Sequence, residues 1–233
     1  MRTVERLVLF DIDGTLLRSH GAGRRAMEAA LVATFGTTGP PRYRYDGKTD
    51  RQIVRELMGA AGFDDATIDE RMPAVVERYV AGLQAELAHP ATRVEALTGV
   101  MDLLEALAQR TDWVVGLLTG NLEPGAEHKL NAAGIPFGRF AIGAYGSDHE
   151  IRSALPAIAQ RRARERLGIH VEGTSMVIVG DTPADIQCGQ PIGARAIAVA
   201  TGQYSESALA AHAPHAVFRD LSDTGAVLAA IDA

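Results

Sequence analysis

Several things are scarce in this 233-residue chain, and each absence narrows what it can be. Cys188 is the only cysteine, which excludes an intramolecular disulfide and a cysteine-rich metal site and fits a reducing compartment. No stretch approaches the roughly 18 consecutive apolar residues of a membrane span. A basic surplus is also missing: the net charge is −6 and the pI near 5.6, against the basic patch that binding to a nucleic-acid backbone requires. Arg161, Arg162, Arg164 and Arg166 come nearest to such a patch, but they share a predicted helix with Glu165 and read as a solvated face. Arg2 and Arg6 stand before a short apolar run that ends in acids without a cleavage-site pattern, so no signal peptide is read and the expected location is cytoplasmic. Internal repeats and low-complexity tracts are absent as well. With 47% hydrophobic and 22% charged residues, the composition is that of an ordinary soluble globular protein. A chain of this length buries roughly 70% of its unfolded surface, enough for one large domain or a domain carrying an insertion.

What is present centres on Arg6 to Thr15, Arg-Leu-Val-Leu-Phe-Asp-Ile-Asp-Gly-Thr. Leu7 to Phe10 form an unbroken apolar run, as expected of a strand buried on both faces of a parallel sheet. Asp11 and Asp13 follow, one residue apart, so in extended geometry their side chains leave on the same side before Gly14 lets the chain turn. Carboxylates at the carboxyl end of a central strand stand where open α/β sheets bind ligands. Two of them about 4 Å apart repel by about 4 kcal/mol at an effective dielectric of about 20, so they need a cation, a shared proton or separation. Magnesium suits such hard oxygen ligands. Taken alone, Asp-x-Asp-Gly after a strand is equally well a plain turn.

Apolar spacing predicts a helix from Gly23 to about Phe35, stopped by Gly36, and a second with the apolar face Ile53, Val54, Leu57 and Met58, capped by Thr49 or Asp50. A third helical region runs from about Asp64 to Leu87, interrupted or initiated near Pro73. Gly21-Ala-Gly23-Arg-Arg-Ala26 matches a dinucleotide fingerprint only superficially, because no strand precedes it directly. No strand is read between Leu16 and about Pro90, making this a helical insertion. Beyond it, a helix over about Val100 to Gln109 precedes Trp113 to Leu118, Phe140 to Ala144, Met176 to Val179, Ala196 to Ala200 and Ala216 to Phe218. These read as strands, with a long helix at about Leu155 to Leu167. The alternation predicts a doubly wound, Rossmann-like parallel sheet. The expected organisation is an α/β core, residues 1–18 plus 92–233, with an all-helical cap at 19–91.

Three predicted strands end in functional residue types: Asp11 and Asp13, then Thr119-Gly120-Asn121, then Gly180-Asp181-Thr182-Pro183-Ala184-Asp185. Four-residue spacing on a helix that starts near Pro183 brings Asp185 back beneath Asp181. In this order and over nearly the whole length, the chain resembles the haloacid dehalogenase superfamily of hydrolases, in the branch with a helical cap after the first motif that includes phosphoglycolate phosphatase and β-phosphoglucomutase. The resemblance implies a magnesium-dependent phosphatase acting on a small phosphorylated metabolite. It makes Asp11 the nucleophile that becomes an aspartyl-phosphate and Asp13 the acid and base. Mg2+ is held by Asp11, the carbonyl of Asp13, and Asp181, with Asp185 assisting. Thr119, the Gly120 amide and Asn121 bind phosphate, beside Gly14 and Thr15. The commoner Lys-Pro pair of the fourth motif is missing, and Arg152 is expected to take the place of its Lys, while Arg161 and Arg162 face solvent. Lys48, Thr49 and Tyr45, near the start of the second cap helix, are candidates for contact with the leaving group.

Rival readings remain within the resemblance. Dehalogenases lack an acid at the position of Asp13. A phosphonoacetaldehyde hydrolase forms a Schiff base through a cap lysine, for which Lys48 is the candidate. Phosphosugar mutases carry a His on the first cap helix where this chain aligns Gly23. From another class, a phospho-acceptor receiver domain also gathers acids, Thr and a basic residue at strand ends, but it needs about half this length and leaves the helical insertion without a role.

Overall fold

The computed structural model describes Val4 and residues 6–233, so the Arg2 of the N-terminal reading lies outside the described residues. In chain order the elements are β1 (Arg6–Phe10), β2 (Leu17–Arg18), α1 (Ala22–Phe35), α2 (Asp50–Ala60), α3 (Asp65–Ala88), β3 (Glu95–Ala96), α4 (Val100–Ala108), β4 (Trp113–Leu118), α5 (Glu123–Ala132), β5 (Ile142–Ala144), α6 (Leu155–Leu167), β6 (Met176–Gly180), α7 (Pro183–Cys188), β7 (Arg195–Val199), α8 (Glu206–Ala210), β8 (Ala216–Phe218) and α9 (Thr224–Asp232). Six strands form one parallel sheet in the order β5-β4-β1-β6-β7-β8. Val8 and Phe10 face one apolar layer with Leu103, Leu107, Leu130 and Val227, whereas Leu7 and Leu9 face another with Leu155, Ala159 and Ala163. An alternating side-chain direction thus buries both faces of β1, which is why its sequence is apolar without a break.

Register positions the site. Phe10 lies beside Leu117 of β4 and Val179 of β6, so all three chains leave the sheet at one edge and deliver Asp11, Thr119 and Asp181 there.

Helices α1, α2 and α3 pack on one another around a separate apolar cluster that includes Met27, Leu31, Ile53, Leu57, Ile68, Val75, Tyr79 and Leu83. Two features differ from the sequence reading. Leu17–Arg18 is a strand after all, pairing antiparallel with Glu95–Ala96, so the chain leaves for the helical layer and returns from it along a two-residue ribbon too short to show a period. Pro73 neither starts nor interrupts α3, which runs unbroken from a cap at Asp64, whose carboxylate accepts from the Thr67 amide. An interior proline removes one helical hydrogen bond at a cost of about 3 kcal/mol. The buried stripe Ile68, Met72, Val75, Tyr79 and Leu83 offsets it by tying both sides of the proline to the same core.

Candidate active site

The turn after β1 is what brings two acids to one place. The Asp11 amide continues the ladder to Val179 O at 2.9 Å, and the Ile12 carbonyl then accepts from Leu16 at 2.9 Å and Leu17 at 3.1 Å, folding the chain back. Gly14 makes this possible with φ +85°, and a Cβ there would lie 2.4 Å from the Asp181 carboxylate. Close approach also fixes Gly120, where a Cβ would meet the Lys48 carbonyl at 2.0 Å.

Asp11, Asp181 and Asp185 each offer a carboxylate oxygen within 4.8 Å of the others, and all three are buried. Arg152 reaches into this cluster from the start of the segment leading into α6. Its Nη2 lies 3.1 Å from Asp11 Oδ1, contacts Asp185 Oδ1, and donates to the Leu118 carbonyl at 3.3 Å. One guanidinium against three carboxylates leaves the dry site short of positive charge. Burial, only partly countered by Arg152, therefore pushes Asp11 up to about 6. Burial and the neighbouring Asp185 and Asp11 carboxylates raise Asp181 well above the usual carboxylate range. This deficit, with oxygen-only donors, fits a divalent hard cation. Asp185 has least to offer it directly: Oδ1 meets Arg152, while Oδ2 accepts from the Thr182 amide at 3.0 Å and hydroxyl at 2.6 Å, closing a capping box at the start of α7. Cys188 stands behind Arg152 with its thiol pushed up to about 12 by burial, which makes it inert.

A second cluster lines the same cleft. Asp13 Oδ2 accepts from Asn121 Nδ2 at 2.8 Å and from Lys129 Nζ at 2.6 Å, and Lys129 donates to Asn121 Oδ1 at 2.6 Å. Asn121 Nδ2 also reaches Thr119 Oγ1 at 2.8 Å. Lys129 has no place in the sequence reading. The signal was there: it sits between Ala126 and Leu130 on the buried stripe of α5 and is only 4% exposed, and a charge on an apolar stripe asks for a partner.

The sequence offers Asp50 only as a possible helix cap. Thr49 caps α2 instead, its hydroxyl accepting from the Gln52 amide at 3.1 Å. The buried Asp50 carboxylate crosses to α5 and accepts from the Leu122 amide at 2.9 Å, supplying the cap that Leu122 itself cannot. Burial, opposed by the Lys129 charge, holds the Asp50 carboxyl up at about 6. Replacing Asp50 by Ala leaves that amide unsatisfied, for an expected loss of about 1–3 kcal/mol. Asp50→Asn keeps an acceptor, so thermal denaturation at neutral pH should place its midpoint above that of Asp50→Ala.

The remaining predicted residues divide. Asp11, Asp13, Gly14, Thr119, Gly120, Asn121, Arg152 and Asp181 line one cleft of about 890 Å³, with Lys48 on its wall. Thr15 and Thr49, expected beside phosphate and leaving group, do not line it: the Thr15 hydroxyl donates to Asp181 Oδ1 at 3.1 Å and that of Thr49 to the Glu150 carbonyl at 2.6 Å. Lys48 pairs with Glu56 at 2.5 Å and with the Tyr43 hydroxyl at 2.7 Å. Arg162 does not face solvent as expected. It clamps Asp148 with two nitrogens at 2.5 and 2.6 Å and donates to the Gly143 carbonyl at 2.6 Å, buttressing the loop after β5. Arg161, paired loosely with Glu165 at 4.0 Å, is exposed.

A family model for haloacid dehalogenase-like hydrolases matches residues 8–190. A 5'-nucleotidase of Pseudomonas aeruginosa is 28% identical over 222 residues, covering 95% of this chain and 94% of that protein. Among solved structures, a predicted phosphoglycolate phosphatase from Haemophilus somnus aligns with a TM-score of 0.68 at 17% identity, over 97% of this chain and 98% of the other. CbbY from Rhodobacter sphaeroides, in complex with phosphate, aligns with a TM-score of 0.66 at 23% identity, over 99% and 100%.

Proposed function

The chain belongs to the haloacid dehalogenase-like hydrolases, and from that premise we propose that it is a Mg2+-dependent phosphatase that hydrolyses small phosphate monoesters through an aspartyl-phosphate on Asp11. The observation that carries the reading is the meeting of Asp11 with Arg152 at 3.1 Å inside a buried group of acids. Such a site offers an anionic nucleophile, a cation to clamp the phosphoryl oxygens and oxygen ligands for a metal.

In the first displacement a carboxylate oxygen of Asp11 bonds to phosphorus, the bond from phosphorus to the leaving oxygen breaks, and Asp13 gives that oxygen a proton. In the second, water attacks the phosphorus of the acyl phosphate, Asp13 takes its proton, and inorganic phosphate leaves as Asp11 is regenerated. Arg152 spans nucleophile and phosphoryl oxygens. The Thr119 hydroxyl accepts from Asn121 and has no acceptor among the described residues, so its proton is available to a phosphate oxygen. Asp11, the Asp13 carbonyl and Asp181 would hold Mg2+, which supplies charge that lets two anions approach. Helices α1 to α3 act as a cap that excludes bulk water and selects the leaving group. On that wall Arg24 stacks over Tyr45 at 3.9 Å and Lys48 lies 4.2 Å from the centre of the Tyr43 ring. Flat aromatic and cationic surfaces suit a nucleobase, and the Pseudomonas relative is called a 5'-nucleotidase, so nucleoside 5'-monophosphates head the substrate panel.

The test is phosphate release from that panel, extended to sugar phosphates, phosphoglycolate and p-nitrophenyl phosphate, with Mg2+ and with a chelator. Turnover with Mg2+ is expected. Stoichiometric labelling without turnover points to the phospho-acceptor reading, and no release from any ester ends the proposal. Millimolar Mg2+ should also raise the melting temperature by mass action. Because Asp11 and Asp181 hold their protons more tightly than ordinary carboxylates, protons compete with the ion at low pH. The rise is therefore larger at pH 7.5 than at pH 5.5, and an equal or absent shift in scanning fluorimetry counts against the metal site.

A further inference from the structure

Lys129 is a buried cation that belongs neither to the acid cluster nor to the arginine opposite. Its ammonium bridges Asp13 Oδ2 and Asn121 Oδ1, both at 2.6 Å, and the Asp50 carboxylate and Tyr79 hydroxyl of the helical layer lie nearby. Gly23 of α1 leaves the room it occupies, since a Cβ there would come 3.2 Å from Nζ and 3.4 Å from Cε. Two donors, Lys129 and Asn121, converge on one oxygen of Asp13, and Oδ1 has no side-chain partner among the described residues. The side chain of Asp13 is 41% exposed while that of Lys129 is 5% exposed, so a fixed buried group holds a carboxylate that reaches into the cleft.

We propose that Lys129 is a positioning residue of the reaction: with Asn121 it pins Asp13 Oδ2 and so assigns Oδ1 as the oxygen that passes a proton to the leaving group and later takes one from water. An oxygen already accepting two hydrogen bonds is the poorer place for a proton, and a rotamer held from behind keeps the other oxygen aimed into the cleft. The inference rests on the phosphatase reading. It adds that the efficiency of proton transfer, rather than attack on phosphorus, depends on this lysine.

Proton donation matters most when the leaving oxygen is a poor leaving group. Lys129→Met is therefore expected to lower kcat about 100-fold on an alkyl phosphate, and by less than about 10-fold on p-nitrophenyl phosphate, with KM little changed on both. In an Asp13→Asn background, adding Lys129→Met should cost no more than about 3-fold further, because residues acting as a unit are non-additive. Gly23→Ala guards against a folding artefact. It favours the helix, so the melting temperature should hold or rise, yet it crowds the ammonium and should reproduce the leaving-group dependence in milder form. Equal losses on both esters, or full additivity with Asp13→Asn, overturn the positioning role while the phosphatase reading stands. A wild-type protein that releases phosphate from no ester sinks both.

Discussion

Asp11→Asn is expected to abolish phosphate release, with kcat down by at least about 10⁴-fold on every ester, because the amide cannot form the acyl phosphate and no neighbouring group replaces it. Folding should survive. Arg152 keeps its contact with Asp185, and the substitution removes a carboxylate that burial disfavours. The pH dependence gives a second readout. In the folded metal-free protein Asp11 holds its proton up to about pH 6, whereas the unfolded chain releases it near 3.8, so between those values the folded state binds more protons. Stability attributable to Asp11 is complete below about pH 4 and declines as pH rises through about 6. Asp11→Asn should flatten that part of the stability curve in chelator-treated protein, as measured by denaturant unfolding across pH 4 to 7. Substantial residual turnover in the variant rules out the assigned nucleophile.

Arg152→Met carries the largest expected loss of stability. The side chain is 6% exposed and is the cation that meets both Asp11 and Asp185, so its removal strands buried carboxylates. Breaking a buried ion pair from one side costs about 3–5 kcal/mol. For a protein of this size that is about 10 °C in melting temperature. Methionine also deletes Nε, a buried donor without a partner among the described residues, which returns part of the loss. The deficit should shrink at pH 5, where Asp11 takes up its proton, and activity should be lost in the variant if Arg152 clamps the phosphoryl group as proposed. Calorimetry at the two pH values checks the first point. An unchanged melting temperature at neutral pH would mean that the guanidinium is not the counter-charge of this cluster.

Much of the architecture was legible because the physics that makes it is local. Leu7–Phe10 and Trp113–Leu118 are apolar runs that only a sheet covered on both faces explains, and α6 ends where Gly168 takes a left-handed conformation. The candidate acids were legible for the same reason, each standing at the end of such a run. What escaped depended on distant chain. The ribbon β2–β3 is defined by pairing across the helical layer, not by any pattern inside Leu17–Arg18. The continuity of α3 through Pro73 depends on a core shared with α1. Asp50 and Arg162 look like surface charges until their partners, the Leu122 amide and Asp148, are brought to them by folding, and the apolar stripe around Lys129 asks for a partner without pointing to Asp13. Arg152 could be singled out only through the resemblance, since nothing next to it in sequence announces a buried guanidinium.

The first residues of α2 are stitched to the loop after β4 at several points: the Asp50 amide donates to the Gly120 carbonyl at 2.8 Å, the Leu122 amide to Asp50 at 2.9 Å, and a Cβ at Gly120 would strike the Lys48 carbonyl. Exchange of the intervening helices with those of a relative is constrained by this seam. A transplanted segment that brings another residue in place of Asp50 leaves a helix end on the recipient scaffold without its acceptor. Chimeras of this chain therefore need residues 48–50 and 120–122 to travel as one unit.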